Sequence, residues 1–518
     1  MANRVDLSKT VDEGGYAKYL PAVSTFLTVQ HGKATQIQDY IDPARMPAEF
    51  EHGIEGLNFL NKDKGYFHYK YALYSAGHAE RNLAKFIKRE PMIACRDREN
   101  TVVVSDSGGF QLATGVIKVD WTTFAGSGGD KFREEILRFS EASFDYSMTL
   151  DVPGFACDGK MGERTGLKTF KDTLDLSIIN LNYFIKNRVP GATKFLNVIS
   201  GGTPETSKEW FDAVIPYSVP DYIESLGYDR NRTLDGGWAF AGVNMKNMVV
   251  TLTRIMEIRD LGLLETNTWM HFLGLGRLDW ACFLTSIQRQ IKKHHNPDFT
   301  ISYDAASPFV ATAYGLCYNY NYFTPKKLTY SMDKAVDKKS FKGSKLRMPF
   351  QSPIMDRLTV GDICVLGPND TNKQGKIGNT SWDSITYAFY MSHNVYNHIT
   401  AVQEINRLAD IEHHRYNVSY KDWSKSKRSS MANEVSQFVP SSILFFESFV
   451  QELFDPATAD PYKLIEDNRQ FLESISFGGT TSNTFKSLFD EVVPEVEEDK
   501  FADLNDERLQ ELEGNGDE

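Results

Sequence analysis

The amino-acid sequence predicts an α/β fold and, within that class, a TIM-type (β/α)8 barrel. Short apolar runs rich in β-branched residues alternate with helix-like stretches over about 300 residues, and each run ends in a polar residue or a glycine. Strands this apolar are covered on both faces, as they are in parallel sheets. The number and the length of the units favour a barrel over an open doubly wound sheet.

Six predicted strands support this fold class. They lie at residues 101–106, 146–151, 194–200, 238–243, 269–276 and 299–304. Between them, apolar residues recur with a period near 3.6 residues, which is the period of an α-helix. This period predicts helices at 130–143, 168–187, 248–264 and 278–293, followed by one or two closing helices at 381–415 and a further helix at 441–454.

The same pattern divides the chain into four parts. The catalytic barrel is expected mainly at residues 15–324, and a basic, irregular insertion is expected at 325–380 after the last strand. Closing and C-terminal helices are expected at 381–487. The tail at 488–518 is too acidic and too poor in aromatic residues to fold alone, so we expect it to be disordered.

Composition argues against several classes of protein. No apolar run approaches the roughly 18 to 20 residues that a membrane span needs, and the N-terminus lacks the layout of a signal peptide, so a cytoplasmic location is expected. The five cysteines are scattered, which predicts reduced thiols and no disulfide framework. Neither a Gly-x-Gly-x-x-Gly motif after the first strand nor a P-loop motif is present, which argues against a nucleotide cofactor.

Charge is distributed unevenly along the chain. The net charge is −12, but thirteen acidic residues from Asp490 onwards outweigh two basic ones, so the rest of the chain carries only −1. Basic residues concentrate between 325 and 347. That segment is either a surface that follows the phosphates of a nucleic acid or a solvated lysine-rich loop. The residues that we expect to contact nucleic acid are Lys326, Lys327, Lys338, Lys339, Lys342, Lys345 and Arg347.

Polar residues stand where four of the predicted strands end. Asp106, Asp151, Ser200 and Asp304 occupy these positions, and a (β/α)8 barrel places its active site at the carboxyl ends of its strands. In the segment SDSGGFQ (105–111), Asp106 is followed closely by two glycines and Phe110. Bare backbone beside an aromatic ring lets a flat ligand approach and stack. The alternative is an ordinary tight turn with a capping aspartate and a core phenylalanine.

SDSGGFQ resembles the signature of the tRNA-guanine transglycosylase family. Further segments resemble that family's motifs in the family's order. They are DYSMTLDVPG (145–154), NVISGG (197–202), GGWAFAG (236–242), HFLGLG (271–276) and SYDAAS (302–307), with a weaker echo at SHN (392–394). The resemblance runs from about residue 101 to residue 308. Six ordered motifs are far more specific than any one of them.

The resemblance implies a role for each matching residue. Asp304 would be the nucleophile that attacks the anomeric carbon, and Asp106 would be the general acid/base. Asp151 would accept hydrogen bonds from the N–H groups of a guanine-type base. The base pocket would also contain Ser107, Gly108, Gly109, Phe110, Ser200, Gly201, Gly236, Gly237, Leu273 and Gly274. For Leu273, an ordinary core leucine is an equally good interpretation.

Three departures from the family's pattern bear on the substrate and on zinc. Ser200 stands where the family has a glutamine. Only Cys364 represents the family's cysteine cluster upstream of His393 and Asn394, so structural zinc stays open: a mixed site of Asp362, Cys364 and His393 is one alternative, and a hydrogen-bonded helix histidine is the other. The gap between HFLGLG and SYDAAS is longer than in the family, and no compact β-rich RNA-binding module is recognisable at the C-terminus.

The last departure makes the chain most similar to the DpdA-type transglycosylases, the branch that inserts 7-deazaguanine bases into DNA. The resemblance therefore implies an enzyme that exchanges guanine in DNA for a free 7-deazaguanine-type base and requires no cofactor for the chemistry. One alternative is the same exchange on tRNA. Another is a non-catalytic nucleic-acid-binding subunit, which the presence of both Asp304 and Asp106 disfavours. A barrel glycosidase for small sugars is disfavoured by the flat-ligand features around Gly108 and Phe110.

Overall fold

Eight parallel strands form the centre of the protein. The structure is a computed structural model that describes residues 5–24, 26, 45–371, 377–419 and 436–476. The strands are β1 (Lys18–Pro21), β2 (Tyr71–Ser75), β3 (Val102–Asp106), β4 (Tyr146–Met148), β5 (Lys194–Ile199), β6 (Gly237–Phe240), β7 (Trp269–Phe272) and β8 (Thr300–Ala305). Their order in the sheet is β1-β8-β7-β6-β5-β4-β3-β2. Each strand therefore lies beside its neighbour in sequence, as in a barrel.

The sheet closes on itself at its first and last strands. A parallel bridge joins Ala22, directly after β1, to Leu73 of β2, and the amide of Val23 donates to the Leu73 carbonyl over 3.0 Å. The interior is filled with side chains. Tyr146 of β4 and Trp269 of β7 are not on neighbouring strands, yet their ring centroids lie 4.4 Å apart. The predicted α/β class and its barrel-like arrangement are thus confirmed.

Helices alternate with the strands and cover the outside of the sheet. They are α1 (Leu7–Glu13), α2 (Leu83–Arg89), α3 (Pro91–Ala94), α4 (Gly109–Thr114), α5 (Trp121–Phe124), α6 (Asp130–Ser143), α7 (Gly159–Thr165), α8 (Phe170–Asn187), α9 (Pro204–Val214), α10 (Pro220–Ser225), α11 (Met248–Asp260), α12 (Leu278–His294) and α13 (Ser307–Ala313). Local signals set several of these bounds. Thr169 and Asp172 form a capping box at the start of α8, and Thr203 caps α9 one residue before Pro204.

The region after the barrel contains a hairpin and a second set of helices. The hairpin strands are β9 (Leu316–Thr324) and β10 (Lys327–Lys334), and the helices are α14 (Val360–Ile363), α15 (Ser384–Ser419), α16 (Ser441–Leu453), α17 (Pro461–Asp467) and α18 (Arg469–Ile475). The predicted closing segment is a single helix of 36 residues, α15. The basic segment is not irregular throughout, because it begins within the antiparallel hairpin. The alternation of tyrosine and asparagine over residues 318–322 is the local signal that is typical of a strand at β9.

The sequence pattern missed β1 and β2. Both are short and all of their residues are buried, so they lack the alternation that marks a half-exposed strand. The acidic tail at 488–518 and the end of the predicted C-terminal helices lie outside the described residues. Within the described part of the chain, no helix combines the length and the apolar character needed to cross a membrane.

The turn after β6 depends on Gly242. Its backbone is left-handed, with φ of 61°, and an added Cβ would overlap the carbonyl oxygen of Gly201 in the turn after β5. A matched position is Gly262, which has φ of 67° and open space around it. Substitutions at the two positions therefore distinguish the effect of backbone strain from the effect of atomic overlap.

We expect Gly242→Ala to lower the free energy of unfolding by roughly 2 to 5 kcal/mol, because strain and overlap add. Gly262→Ala should cost only about 1 to 2 kcal/mol, since strain alone acts there. Denaturant unfolding of both variants measures the difference. Equal losses would show that the turns after β5 and β6 do not depend on this close approach.

Candidate active site

Asp304 lies near the carboxyl end of β8, and its side chain is mostly buried. The exposed fraction of the side chain is 11%. Its Oδ1 atom accepts a hydrogen bond from the amide of Gly274 over 2.9 Å and lies 3.2 Å from Nε2 of His271. Gly274 has a left-handed backbone, with φ of 69°, a conformation that favours glycine. The turn after β7 thus presents its amide to the carboxylate.

Asp106 ends β3 and is held by the neighbouring strand. Ser75 is its partner in the register of β2 and β3. The Ser75 hydroxyl donates to Asp106 Oδ2 over 2.8 Å, and the amide of Gly108 donates to Oδ1 over 3.3 Å. Burial raises the pKa of Asp106, and the negative charge of Asp304 raises it further, against the lowering effect of these donors. Asp106 is therefore suited to carry a proton.

Asp151 follows β4 and adds a third carboxyl group to the same end of the barrel. Burial, followed by the negative charge of Asp106, raises the pKa of Asp151 to about 7, while Ser107 acts in the opposite direction. The adjacent turn fits closely around it, since a Cβ at Gly109 would lie 2.7 Å from Asp151 Oδ1. Asp106, Asp151 and Asp304 thus interact as one cluster.

Three interacting carboxyl groups in different environments can divide nucleophilic, acid/base and ligand-binding roles among themselves. No protein-family model matches the chain, and no curated protein matches it significantly.

The turn after β3 combines bare backbone with an aromatic ring. Gly108 has φ of 83°, and a Cβ there would lie 2.6 Å from the Cα of Gly77. Phe110 follows in the first turn of α4, half-buried. Its ring centroid lies 5.7 Å from that of Phe155, in the turn after Asp151. Two aromatic rings therefore contact each other in the segments that follow Asp106 and Asp151.

Ser200 and Gly201 leave the carboxyl end of β5, as predicted. Gly201 has φ of 122°, and a Cβ there would lie 2.5 Å from the amide nitrogen of Ser207. The buried side chain of Asn244 ties this turn to the next one, because its Nδ2 donates to the carbonyls of Ser200 (3.1 Å) and Ala241 (3.0 Å). Backbone groups dominate this part of the rim.

Gly236 and Gly237 lie away from the cluster. Gly237 is the first residue of β6 and pairs with Trp269, the first residue of β7, so both glycines stand at the amino end of the barrel. The residues that follow the carboxyl end of β6 are Ala241 and Gly242. Leu273 is half-buried, packs against the core and donates its amide to the Phe240 carbonyl over 3.1 Å.

The structure also identifies site residues that the sequence did not. His271 and Ser75 contact the two catalytic candidates directly, and Asn244 fixes the turns beside them. A sequence signal for His271 exists, because a histidine within an apolar strand, here in the HFLGLG motif, is unusual. Ser75 lies on a strand that the pattern missed, so no local signal marks it.

The three zinc candidates each have partners within the fold. The ring of His393 is fully buried between Ser352 Oγ, 2.8 Å from Nδ1, and the Tyr318 carbonyl, 2.6 Å from Nε2. Burial lowers the pKa of His393 to about 4. Cys364 is buried with Sγ 3.9 Å from the Val336 carbonyl, and Asp362 caps α14. Across the described residues, no three His, Cys, Asp or Glu side chains gather at metal-binding distance.

His393 and Asn394 instead attach the hairpin to the barrel. Asn394 accepts a hydrogen bond from the amide of Tyr318 in β9 over 2.9 Å. Its Nδ2 donates to the Pro308 carbonyl in α13 over 3.1 Å and to the Leu316 carbonyl at the start of β9 over 3.2 Å. The pair therefore holds α15, α13 and β9 together.

The basic residues continue from this hairpin. Lys326 is exposed at its turn, Lys327 begins β10, and Lys338, Lys342, Lys345 and Arg347 are exposed after it. Several have partners: Lys342 forms an ion pair with Asp370, and the Lys339 ammonium donates to the Gly378 carbonyl. Arg347 donates to the Asp356 carbonyl over 3.5 Å, and the Lys338 ammonium lies 5.7 Å from the centroid of the Phe341 ring. The segment thus presents several cations to solvent.

We expect Asp151→Asn to stabilise the protein at pH 8 more than at pH 5. The folded-state pKa is about 7 against an ordinary value of 3.8, so the stability that the neutral carboxyl contributes is lost as the pH rises from about 4 through 7. The neutral amide avoids that loss, and the gain over wild type should grow by on the order of 1 to 3 kcal/mol between the two pH values. Denaturant unfolding at both pH values measures it.

The control is Asp175→Asn, on the exposed face of α8. Its effect on stability should not grow with pH. A pH-independent effect of Asp151→Asn would mean that ionisation of Asp151 does not destabilise the folded state.

Proposed function

We propose that this protein is a guanine transglycosylase that exchanges guanine in DNA for a 7-deazaguanine-type base. The observation that carries the proposal is the carboxyl cluster. Asp304 is held by two donors, while burial and Asp304 raise the pKa of Asp106. A fixed nucleophile beside a proton-carrying acid is what two-step glycosyl transfer requires.

The proposed reaction has two displacements. An oxygen of Asp304 attacks C1′ of the target deoxyribose, the bond between C1′ and the guanine nitrogen breaks, and its electron pair leaves with the base. Asp106 donates a proton to the departing guanine. The incoming base then attacks C1′, gives its proton to Asp106 and releases Asp304 from the ester. Both the carboxylate and the acid are thereby regenerated.

Asp151 and the two phenylalanines are suited to hold the base. A guanine-type base presents adjacent N–H groups at one edge, and a carboxylate accepts such a pair. Ionised Asp151 would gain two hydrogen bonds on binding, which offsets the cost of its burial. The rings of Phe110 and Phe155, 5.7 Å apart and half-buried, offer apolar surface to the base.

The target nucleotide must leave its stack to reach Asp304, because attack at C1′ cannot occur within a closed duplex. Basic residues near the site would hold the backbone while it does so. The hairpin that begins the basic segment is anchored to α13, which starts shortly after Asp304. This connection supports the basic segment as the nucleic-acid surface.

The proposal predicts that the protein incorporates labelled guanine into duplex DNA and that Asp304→Asn abolishes both the incorporation and the covalent protein–DNA adduct. The amide of asparagine cannot form the ester. Acid-precipitable label and denaturing gel electrophoresis measure the two effects. Asp298→Asn, in the exposed loop before the same strand, is the matched control and should retain both.

The same assay distinguishes the alternatives. Label that enters only unmodified tRNA would replace DNA with tRNA as the substrate. Retention of DNA without incorporation into either polymer would favour a non-catalytic binding subunit. An adduct that survives Asp304→Asn would remove Asp304 as the nucleophile.

We further expect the double substitution Lys338→Glu and Lys345→Glu to weaken DNA binding about tenfold or more at low salt. The slope of the logarithm of the binding constant against the logarithm of the salt concentration should fall by about two, which corresponds to the loss of about two phosphate contacts. Both lysines are exposed. The control pair is Lys88→Glu with Lys293→Glu, near the carboxyl ends of α2 and α12. In a barrel whose helices run antiparallel to its strands, the carboxyl ends of the helices lie at the amino ends of the strands. These two lysines are therefore expected at the end of the barrel opposite the candidate site.

Fluorescence anisotropy across a salt series measures both pairs. Equal losses would mean that net charge alone, and not the segment after the hairpin, governs binding.

A further inference from the structure

Four side chains form a continuous hydrogen-bonded line on β7 and β8. Trp269 and His271 are two residues apart on β7, and Ser302 and Asp304 are two residues apart on β8. Residues with this spacing on a strand lie on the same face of the sheet. Ser302 is the register partner of His271. Trp269 Nε1 donates to Ser302 Oγ over 2.7 Å, Ser302 Oγ lies 2.8 Å from His271 Nδ1, and His271 Nε2 lies 3.2 Å from Asp304 Oδ1.

The donors and acceptors in this line fix the tautomer of the histidine. A carboxylate can only accept, so the hydrogen bond to Asp304 Oδ1 requires the ring proton on Nε2. In a ring with one proton, Nδ1 is then an acceptor. Trp269 can only donate, so Ser302 Oγ accepts from it and gives its own proton to Nδ1.

His271 and Gly274 both act on the same oxygen of Asp304. The hydrogen bonds that the described residues make to this carboxylate all end on Oδ1. Two donors on one oxygen set the rotation of the carboxyl group, and the second oxygen stays available for attack. The ring of His271 is itself fully buried, so it acts on the carboxylate and not on a substrate in the cleft.

We propose that His271 is a positioning residue for Asp304: its Nε2–H, oriented through Ser302 and Trp269, holds the carboxylate with one oxygen directed at C1′. The inference rests on the proposed function for the identity of the reaction. The hydrogen bond itself can be measured without that reaction. A misplacement of the attacking carboxylate by about 1 Å can slow the chemical step roughly a hundredfold. The hydrogen-bonded line is therefore expected to affect the rate of adduct formation more than the affinity for DNA.

The first test compares His271→Phe with His271→Gln. Phenylalanine keeps a ring of similar size but has no donor, while the glutamine amide can donate from near the position of Nε2. We expect His271→Phe to slow formation of the covalent DNA adduct roughly ten- to a hundredfold in single-turnover experiments. The KM for DNA should change little, and His271→Gln should recover most of the rate.

A second pair of variants probes the far end of the line. Trp269→Phe removes the donor that orients Ser302 and should slow adduct formation, by less than His271→Phe does. Trp238→Phe is the matched control, since Trp238 is also a buried barrel tryptophan, but its Nε1 has no hydrogen-bond partner among the described residues. We expect Trp238→Phe to leave the adduct rate unchanged at a comparable cost in melting temperature.

The third readout is independent of activity. In protein labelled with ¹⁵N-histidine, the ring signals of His271, assigned by their loss in His271→Gln, should show a single ring proton, on Nε2. Ser302→Ala should perturb that signal, because it removes the donor to Nδ1. If His271→Phe does not fold, this spectrum and the Trp269→Phe rate still decide the question.

The outcomes separate the inference from the proposed function. Wild-type protein that forms no adduct with DNA or tRNA overturns the proposed function, and the spectrum then tests the hydrogen-bonded line alone. An adduct rate for His271→Phe equal to that of wild type overturns the inference and leaves Asp304 as nucleophile. A His271→Gln rate as low as that of His271→Phe, or a ring proton on Nδ1, also overturns it.

Discussion

Three carboxyl groups share one end of a packed barrel, and the electrostatic cost of that placement is the constraint on which the rest of the candidate site depends. Burial raises the pKa of Asp106 and of Asp151, and a neighbouring negative charge raises each further, that of Asp304 for Asp106 and that of Asp106 for Asp151. The fold meets the cost differently at each position. Asp304 receives two donors, Asp106 receives a serine and an amide, and Asp151 keeps a pKa of about 7. One kind of side chain therefore occupies three different environments.

Backbone, more than side chains, forms the rim around this cluster. Four turns that leave the carboxyl ends of strands contain a glycine with positive φ, at Gly108, Gly201, Gly242 and Gly274. At Gly108 and Gly242, a Cβ would collide with a neighbouring turn, and at Gly201 it would collide with the backbone of α9. The close approach that these glycines permit brings amides within reach of Asp106 and Asp304. It also leaves bare backbone in the turn that precedes Phe110.

The helix α15 links the cluster to the basic segment. His393 and Asn394 lie within the apolar core, where unpaired polar groups are costly. They form hydrogen bonds to α13, to β9 and to the loop that contains Ser352, and the Asn397 amide of α15 itself lies 3.2 Å from His393 Nε2. The motif that suggested a zinc ligand thus performs a structural task. It fixes the start of the basic hairpin relative to the helix that follows Asp304.

The sequence by itself determined what depends on local pattern. It established the alternation of strands and helices, the bounds of helices such as Asp130–Ser143, and the strand-end positions of Asp106, Asp151 and Asp304. Only the tertiary structure decided which side chains from different strands meet. Ser75 reaches Asp106, and His271 reaches Asp304, through the register of paired strands. It also placed Gly236 and Gly237 at the amino end of the barrel, although their motif resembled one of a base pocket. Register and closure arise from contacts between residues far apart in the chain, and no local periodicity encodes them.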